Sequence, residues 1–314
     1  MARVMKKIGV KEFEKIIGSK ISNFIAKKIN KAKLVYSPLT TKERDGVILK
    51  ITNILLDNSI PFSGEHRKNQ WEKGWEENLL EYKKEQNSIS LVPKYYYKYK
   101  DSKYKIGKIN GEFFKFISPN FDFETAGIIV YWAIETYLKN VTNIFDFGCG
   151  TGHNLLKMRE VNKTANITGL DWVSSSQKTV RQIAKNYNDK KMFARKFDYF
   201  NPDYSLKLPQ KSGIFTMESL EQTGNNYKKF IDYVLKNRPE IVVNIEPITE
   251  LLDENKLVDN LTIKYARKRN YLNGYLDYLR KLEKQGKIKV HKAKRTYIGD
   301  TFNESKSIIV WSVK

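Results

Sequence analysis

The apolar positions of the chain follow two periods, and the change between them divides it. From Lys11 to Lys33, Phe13, Ile16, Ile17, Ile21, Phe24, Ile25 and Ile29 recur at helical spacing opposite a lysine-rich face. Two readings of that stretch stay open: a helix packed on the protein's own core, or one lying on an anionic membrane surface. Ser37 to Glu43 reads as a turn and helix cap, with the helix running through Val47, Ile48, Ile51 and Ile54 to Leu56. In the segment WEKGWEENL, Trp71 and Trp75 share one helix face and either line an acceptor pocket or belong to the core. Val92 to Lys108 places Tyr95, Tyr97 and Tyr99 on one face of an extended segment with lysines between them. That pattern suits stacked bases and phosphates, and equally short strands with lysine edges.

After residue 120 the pattern alternates. A helix over 121–140 leads to a strand over 141–147 and a helix opening at Asn154. Strands follow over 165–170 and 191–199, with a helix at 174–187 between them. Further strands fall at 213–217 and 240–245, separated by a helix at 227–237. A mostly helical stretch over 248–286 precedes two last strands at 287–295 and 308–313. Alternation of this kind predicts an α/β fold with a doubly wound, mostly parallel sheet. It divides the chain into a mainly helical N-terminal extension, 1–120, capping the acceptor, and a domain over 121–314 with a helical insertion at 248–286.

The sharpest local signal is FDFGCGTGHN, Phe145 to Asn154. A strand, a glycine-rich turn and a helix start form a cradle for a nucleotide-like ligand. A dinucleotide fingerprint would need glycine where His153 stands. The pattern is instead Asp146, Gly148, Gly150 and Gly152 at alternate positions, with Phe147 and Cys149 between them. The next strand ends in Asp171-Trp172; a carboxylate there accepts from both ribose hydroxyls, and the indole covers an adenine face. The third ends in Asp198-Tyr199, the fourth at Glu218 and the fifth at Glu246. Ligands of such sheets bind outside the carboxyl ends of the strands, where all five acids fall.

Charge widens the choice of partners. With 57 Lys and Arg against 35 Asp and Glu the formal net charge is +22, and both the first 120 residues and the remainder are basic. The excess fits an anionic partner such as nucleic acid, a membrane or an acidic sugar, and equally a lysine-rich compositional bias. The single cysteine, Cys149, excludes an intrachain disulfide, as expected for a reducing cytoplasm. Three histidines without a cysteine cluster point away from a structural zinc site, and no metal is expected. No window of the sequence is apolar enough for a membrane span.

The D-x-G-x-G-x-G turn with its following acids resembles motif I and its companions in the class I S-adenosylmethionine (SAM) methyltransferases, over residues 120–314. FGCGTGHNLL, GLDWVSSSQ, LEQTG, IEPITEL and RNYLNGY are similar to segments of bacterial proteins described as sugar or small-molecule O-methyltransferases. The resemblance implies a Rossmann-like seven-stranded sheet closed by an antiparallel hairpin. It implies SAM as cofactor, held by Asp146, Phe147, Gly148, Cys149, Gly150, Gly152, Asp171, Trp172, Asp198, Tyr199 and Glu218, with S-adenosylhomocysteine as product. It implies in-line displacement onto a hydroxyl of a sugar or polysaccharide precursor. Glu246 is the first candidate base, with Glu221, His153 and His66 behind it. Trp71, Trp75, Arg269 and Tyr271, with Arg267, are candidates for the acceptor side. An RNA or protein methyltransferase using the basic surface, and a SAM-binding protein without catalysis, are the other readings. An N-P-P-Y-type tetrad of the amino-group class is absent after the fourth strand.

Overall fold

In the computed structural model, residues 4–87, 91–93, 105–118 and 120–314 are described. The N-terminal part begins with β1 (Lys6–Lys7), α1 (Val10–Ile17) and α2 (Asn23–Ala32). The helical pattern over 11–33 is thus split: Gly18 adopts a left-handed conformation (φ 67°) and ends α1. Phe13, Ile17, Ile25 and Ile29 are all buried in the protein's own core. The apolar stripe therefore faces inward, and the expectation that it lies on a membrane is corrected by that burial. Among the described residues no helix is long and apolar enough to cross a membrane.

Next come β2 (Val35–Pro38), α3 (Thr41–Leu56), a 3-10 turn at Glu65–Arg67 and α4 (Lys68–Glu85). The cap expected near residue 40 is present: Thr40 and Glu43 form a reciprocal capping box on α3. Two strands, β3 (Lys105–Ile109) and β4 (Glu112–Phe116), then lead to α5 (Phe121–Ala133), which runs on as a π-helical turn to Leu138. The tyrosine-rich face of Tyr95, Tyr97 and Tyr99 lies outside the described residues.

The remaining elements are β5 (Asn143–Phe147), α6 (His153–Val161), β6 (Asn166–Asp171), α7 (Ser174–Asn186), β7 (Met192–Lys196), β8 (Ser212–Met217), a 3-10 turn at Leu220–Thr223, α8 (Lys228–Asn237) and β9 (Ile241–Glu246). The insertion carries α9 (Leu257–Lys268) and α10 (Tyr275–Lys284); β10 (Ile288–Lys294), β11 (Ile298–Asp300) and β12 (Ser307–Val313) close the chain. Seven strands form one sheet in the order β10-β12-β9-β8-β5-β6-β7. The run β9-β8-β5-β6-β7 is parallel, and β12 is antiparallel to both β9 and β10. This is a doubly wound, Rossmann-like α/β sheet with an antiparallel edge. The order reverses between β5 and β8, so a crevice opens where the loops after them diverge.

The chain between β10 and β12 does something the local pattern does not announce. Its middle, β11, leaves the large sheet and pairs with β3, completing a second, antiparallel sheet in the order β1-β2-β4-β3-β11. One hydrophobic cluster then runs from Ile8 and Phe13 through Phe116 and Phe121 to Ile144 and Ile308, so the N-terminal part packs directly on the large sheet. A buried charge network fastens the junction. Arg295 donates to Asp259 at 2.6 and 2.7 Å and to Glu304 at 2.7 and 2.9 Å. Beside it the buried Lys108 of β3 donates to Thr262 of α9 at 2.5 Å. Burial pushes that ammonium down to about 8, against the opposing pull of Asp300, Glu304 and Asp259.

Candidate functional site

The glycine turn is set by its supports. Gly148 and Cys149 each donate their N–H to the carbonyl of Leu170, at 2.7 and 3.0 Å, locking the loop to the end of β6. At Gly148, φ is 72° and a Cβ would stand 2.4 Å from that of Ser219, so both backbone and space demand glycine. At Gly150, φ is 53° and a Cβ would meet the Trp75 ring at 3.1 Å. Asp171 reaches back to this turn. One of its oxygens accepts from the Gly150 N–H at 3.0 Å and the other from the Val173 N–H at 3.2 Å. Burial pushes its carboxyl up to about 6, opposed by those amides.

Two hollows flank Gly148 and meet at Gly148, Trp75 and Glu218. The first, about 670 Å³, is walled by Asp146, Gly148 to Thr151, His153, Asn154, Lys157 and, from α5, Phe123. The second, about 560 Å³, is walled by Trp71, Asp171, Trp172, Tyr199, Phe200 and Ser219. They are two arms of one cleft, at the point where the strand order reverses. In the first arm, Asp146 is 2% exposed and its Oδ2 has no hydrogen-bond partner among the described residues. Burial, and then the neighbouring Asp171, holds its carboxyl well above the ordinary carboxylate range. Lys157 shares that arm, donates to Asn154 at 3.1 Å and is pushed down to about 8 by burial. In the second arm Trp172 stacks on Phe200, with centroids 5.8 Å apart.

The remaining expected cofactor residues fall around this cleft in different ways. Cys149 lines the first arm, and burial holds its thiol well above the usual range, so it stays protonated. Tyr199 lines the second arm and bonds Ser219 through its hydroxyl at 3.1 Å. Gly152 starts α6. Phe147 points into the core, and Asp198 accepts from the Phe200 N–H at 2.9 Å. Glu218 stands where the arms meet, in a left-handed conformation (φ 47°) that costs a non-glycine residue roughly 1–2 kcal/mol. Its Oε1 accepts from Ser305 at 2.5 Å and lies 3.5 Å from the Lys306 ammonium.

The four candidate bases separate clearly. Glu246 is 0% exposed, and its oxygens accept from the N–H groups of Ser219, Leu220 and Glu221 at 3.1 to 3.3 Å. It caps the 3-10 turn after β8, which is a structural task. Glu221 is buried; Gln222 donates to one oxygen, the other has no partner among the described residues, and burial keeps its carboxyl well above the ordinary range. His66 is exposed and packs on Phe62, away from both arms. His153 lines the first arm with Nδ1 3.1 Å from the Thr151 hydroxyl, and burial holds its imidazole neutral.

On the acceptor side, Trp75 and Trp71 are stacked 5.4 Å apart and wall the cleft itself. Arg269 lies over the Tyr271 ring at 5.2 Å, behind Glu221, while Arg267 is exposed. Sequence reasoning passed over Lys157, Phe123, Ser219, Ser305 and Lys306. Lys157 carries a retrievable signal, since it sits one helical turn after His153 at the start of α6.

No protein-family model matches the sequence, and no curated protein matches it. Among solved structures the chain is similar to the methyltransferase PaMTH1 of Podospora anserina bound to S-adenosylhomocysteine, at 10% identity and a TM-score of 0.44, covering 88% of this chain and 97% of that one. It is also similar to the N-methyltransferase NodS of Bradyrhizobium japonicum with S-adenosylhomocysteine, at 12% identity and a TM-score of 0.44, covering 60% and 86%. A third is an O-methyltransferase of neocarzinostatin biosynthesis in complex with SAM and a naphthoic acid, at 14% identity and a TM-score of 0.40. There the match covers 60% of this chain and only 57% of that enzyme.

Proposed function

We propose that the chain is a SAM-dependent methyltransferase acting on a hydroxyl of a small molecule, a sugar or polysaccharide precursor. The observation that carries the reading is Asp146 Oδ2, a buried acceptor without a partner among the described residues, in the wall of a glycine-lined cleft. A buried polar atom left unpaired costs about 1–3 kcal/mol, which a cationic ligand group removes. The ammonium of a methionyl group suits Asp146, and its carboxylate suits Lys157 in the same arm. In the other arm the Asp171 carboxylate has lone pairs left for ribose hydroxyls, and Trp172 with Phe200 offers flat faces for adenine.

SAM supplies an electrophilic methyl group on a positively charged sulfur. The protein's part is alignment and the removal of one proton. A cleft that holds donor and acceptor in line converts an encounter into an intramolecular event, worth several kcal/mol. Of the four candidate bases His153 is the one lining the cleft. In the tautomer that donates Nδ1–H to Thr151, Nε2 is the proton acceptor, and burial, which opposes a charged ring, makes it a weak one. The stacked indoles of Trp71 and Trp75 offer the flat apolar surface that suits a sugar ring.

The test is incubation of the full chain with methyl-labelled SAM and a host extract, followed by separation of small molecules, glycans, lipids, RNA and protein. Label in small molecules or glycans supports the reading. Label in RNA or protein moves the acceptor to a macromolecule met through the basic surface, and affinity for it should then fall steeply with salt. Absence of SAM binding by calorimetry overturns the assignment outright.

A further inference from the structure

The cleft has two arms of different chemistry joined at one narrow place. One arm offers an acid and an ammonium, Asp146 and Lys157; the other offers a carboxylate and aromatic faces, Asp171 and Trp172. On the proposed function, the amino-acid end of the cofactor occupies the first and the adenosine the second. The atom joining those halves is the sulfur, and the residues common to both arms are Trp75, Gly148 and Glu218. Gly148 has no side chain, so the sulfur's surroundings are decided by the other two.

Glu218 is positioned for this with unusual care. Its left-handed backbone turns it at the end of β8, and Ser305 and Lys306 hold Oε1. Oε2 accepts no hydrogen bond from the described residues. Lys306 is itself 2.9 Å from Asp122, so Glu218 shares that ammonium with a second carboxylate, and burial raises the Glu218 carboxyl against the pull of Lys306. The other shared side chain, the Trp75 indole, lies against Gly150, where a Cβ would meet its ring carbons at 3.1 to 3.6 Å. A carboxylate and the face of an indole both attract a cation, and neither gains from a neutral thioether.

We infer that Glu218 and Trp75 form a charge-selective collar at the junction of the two arms, which binds the sulfonium of SAM and lets go of the neutral sulfur of S-adenosylhomocysteine. Discrimination of substrate from product thus resides in the cleft, and the product is released because the charge has left with the methyl group. The inference rests on the proposed function, which assigns the two arms.

Calorimetry with the full chain tests it without any acceptor. The probes are SAM, S-adenosylhomocysteine and sinefungin, which replaces the sulfonium by a carbon bearing an ammonium. Wild type should bind both cationic ligands about tenfold more tightly than S-adenosylhomocysteine. Glu218→Gln should lose most of that preference and keep only the part the indole supplies, with S-adenosylhomocysteine within roughly threefold of wild type. Trp75→Phe should keep most of the preference and Trp75→Leu should lose part of it. Sinefungin binding like S-adenosylhomocysteine in the wild type would show selection for the methyl group and overturn the collar, with no variant needed. An unchanged preference in Glu218→Gln, or loss of all three ligands, overturns it as well. If the wild type binds none of the three, the proposed function fails first.

Discussion

The carboxylate of Glu72, on α4, caps the N-terminus of α7 by accepting from the Ser174 N–H at 2.7 Å and the Ser175 N–H at 2.8 Å, with the Ser174 hydroxyl at 2.8 Å. A helix from the N-terminal extension thereby satisfies amides that α7 cannot pair itself. The capped end immediately follows Asp171 and Trp172, so the contact ties the N-terminal extension to the arm of the cleft that these two residues line. Glu72→Ala should cost about 1 kcal/mol of stability and weaken SAM binding, while Glu72→Gln should retain part of both. Burial raises the Glu72 carboxyl, but the Ser174 and Ser175 bonds outweigh it and hold the group below its ordinary value. A lowered folded value means that the cap is complete at neutral pH and fades as pH falls through that value. Urea denaturation at neutral pH and in mild acid checks both the size and the sign.

Asp171 carries the opposite sign. Its folded carboxyl is pushed up to about 6 by burial, so the protein binds a proton there more readily folded than unfolded. Its contribution to stability is therefore present below pH 4 and is lost as pH rises through 6. Ligand binding runs the other way, because a carboxylate accepts from two ribose hydroxyls and a protonated acid does so poorly. SAM affinity should fall as pH drops below about 6, and Asp171→Ala should reduce it by about a hundredfold. Calorimetry from pH 5 to 8 checks the first; unchanged affinity in the variant would remove the ribose assignment.

Two glycines separate constraint from chance. Gly148→Ala places a Cβ 2.4 Å from that of Ser219 at φ 72°, so the loop or the turn after β8 must move. Lost stability of about 1–3 kcal/mol and lost SAM binding are expected together. Gly46 is exposed within α3, and a Cβ there meets nothing within 4 Å. Gly46→Ala should stabilise the protein by about 0.5–1 kcal/mol and leave ligand binding alone. Thermal melts with and without SAM distinguish the two.

The large sheet was legible because its central strands β5, β6, β8 and β9 are short apolar runs with an acid at or beside the end, and the helices between them keep a clear period. Asp146, Asp171 and Glu218 reach the cleft for that reason. Glu246 shows the limit. Its place at the end of β9 is plain in the sequence, but its side chain turns under Ser219 to Glu221, and only the folded loop supplies those amides. β11 is three residues long and pairs across almost two hundred residues with β3, so no local pattern marks it. Gly18 divides α1 from α2 within an unbroken apolar stripe, since the stripe records burial and a left-handed turn barely interrupts it. Lys306 and Ser305 come from a segment whose chemistry appears only when it reaches Glu218.

The buried network around Arg295 gives the last prediction. Three charges, those of Arg295, Asp259 and Glu304, are nearly excluded from water, and the guanidinium makes two bonds to each carboxylate. Arg295→Met leaves both acids without their cation, which should cost about 3–5 kcal/mol. The triple replacement Arg295→Met, Asp259→Leu, Glu304→Leu removes these three charges at once and should recover part of that loss, since the buried Lys108 then keeps Asp300 but loses Glu304 and Asp259. Bonds between well-packed ions repay little more than their own desolvation. Because Asp259 lies on α9 and Glu304 between β11 and β12, the single variant should loosen the insertion from the second sheet. Hydrogen exchange should then accelerate in β3 and β11 before it does in β5 and β6. Uniform acceleration across both sheets would show that the network serves overall stability instead of that junction.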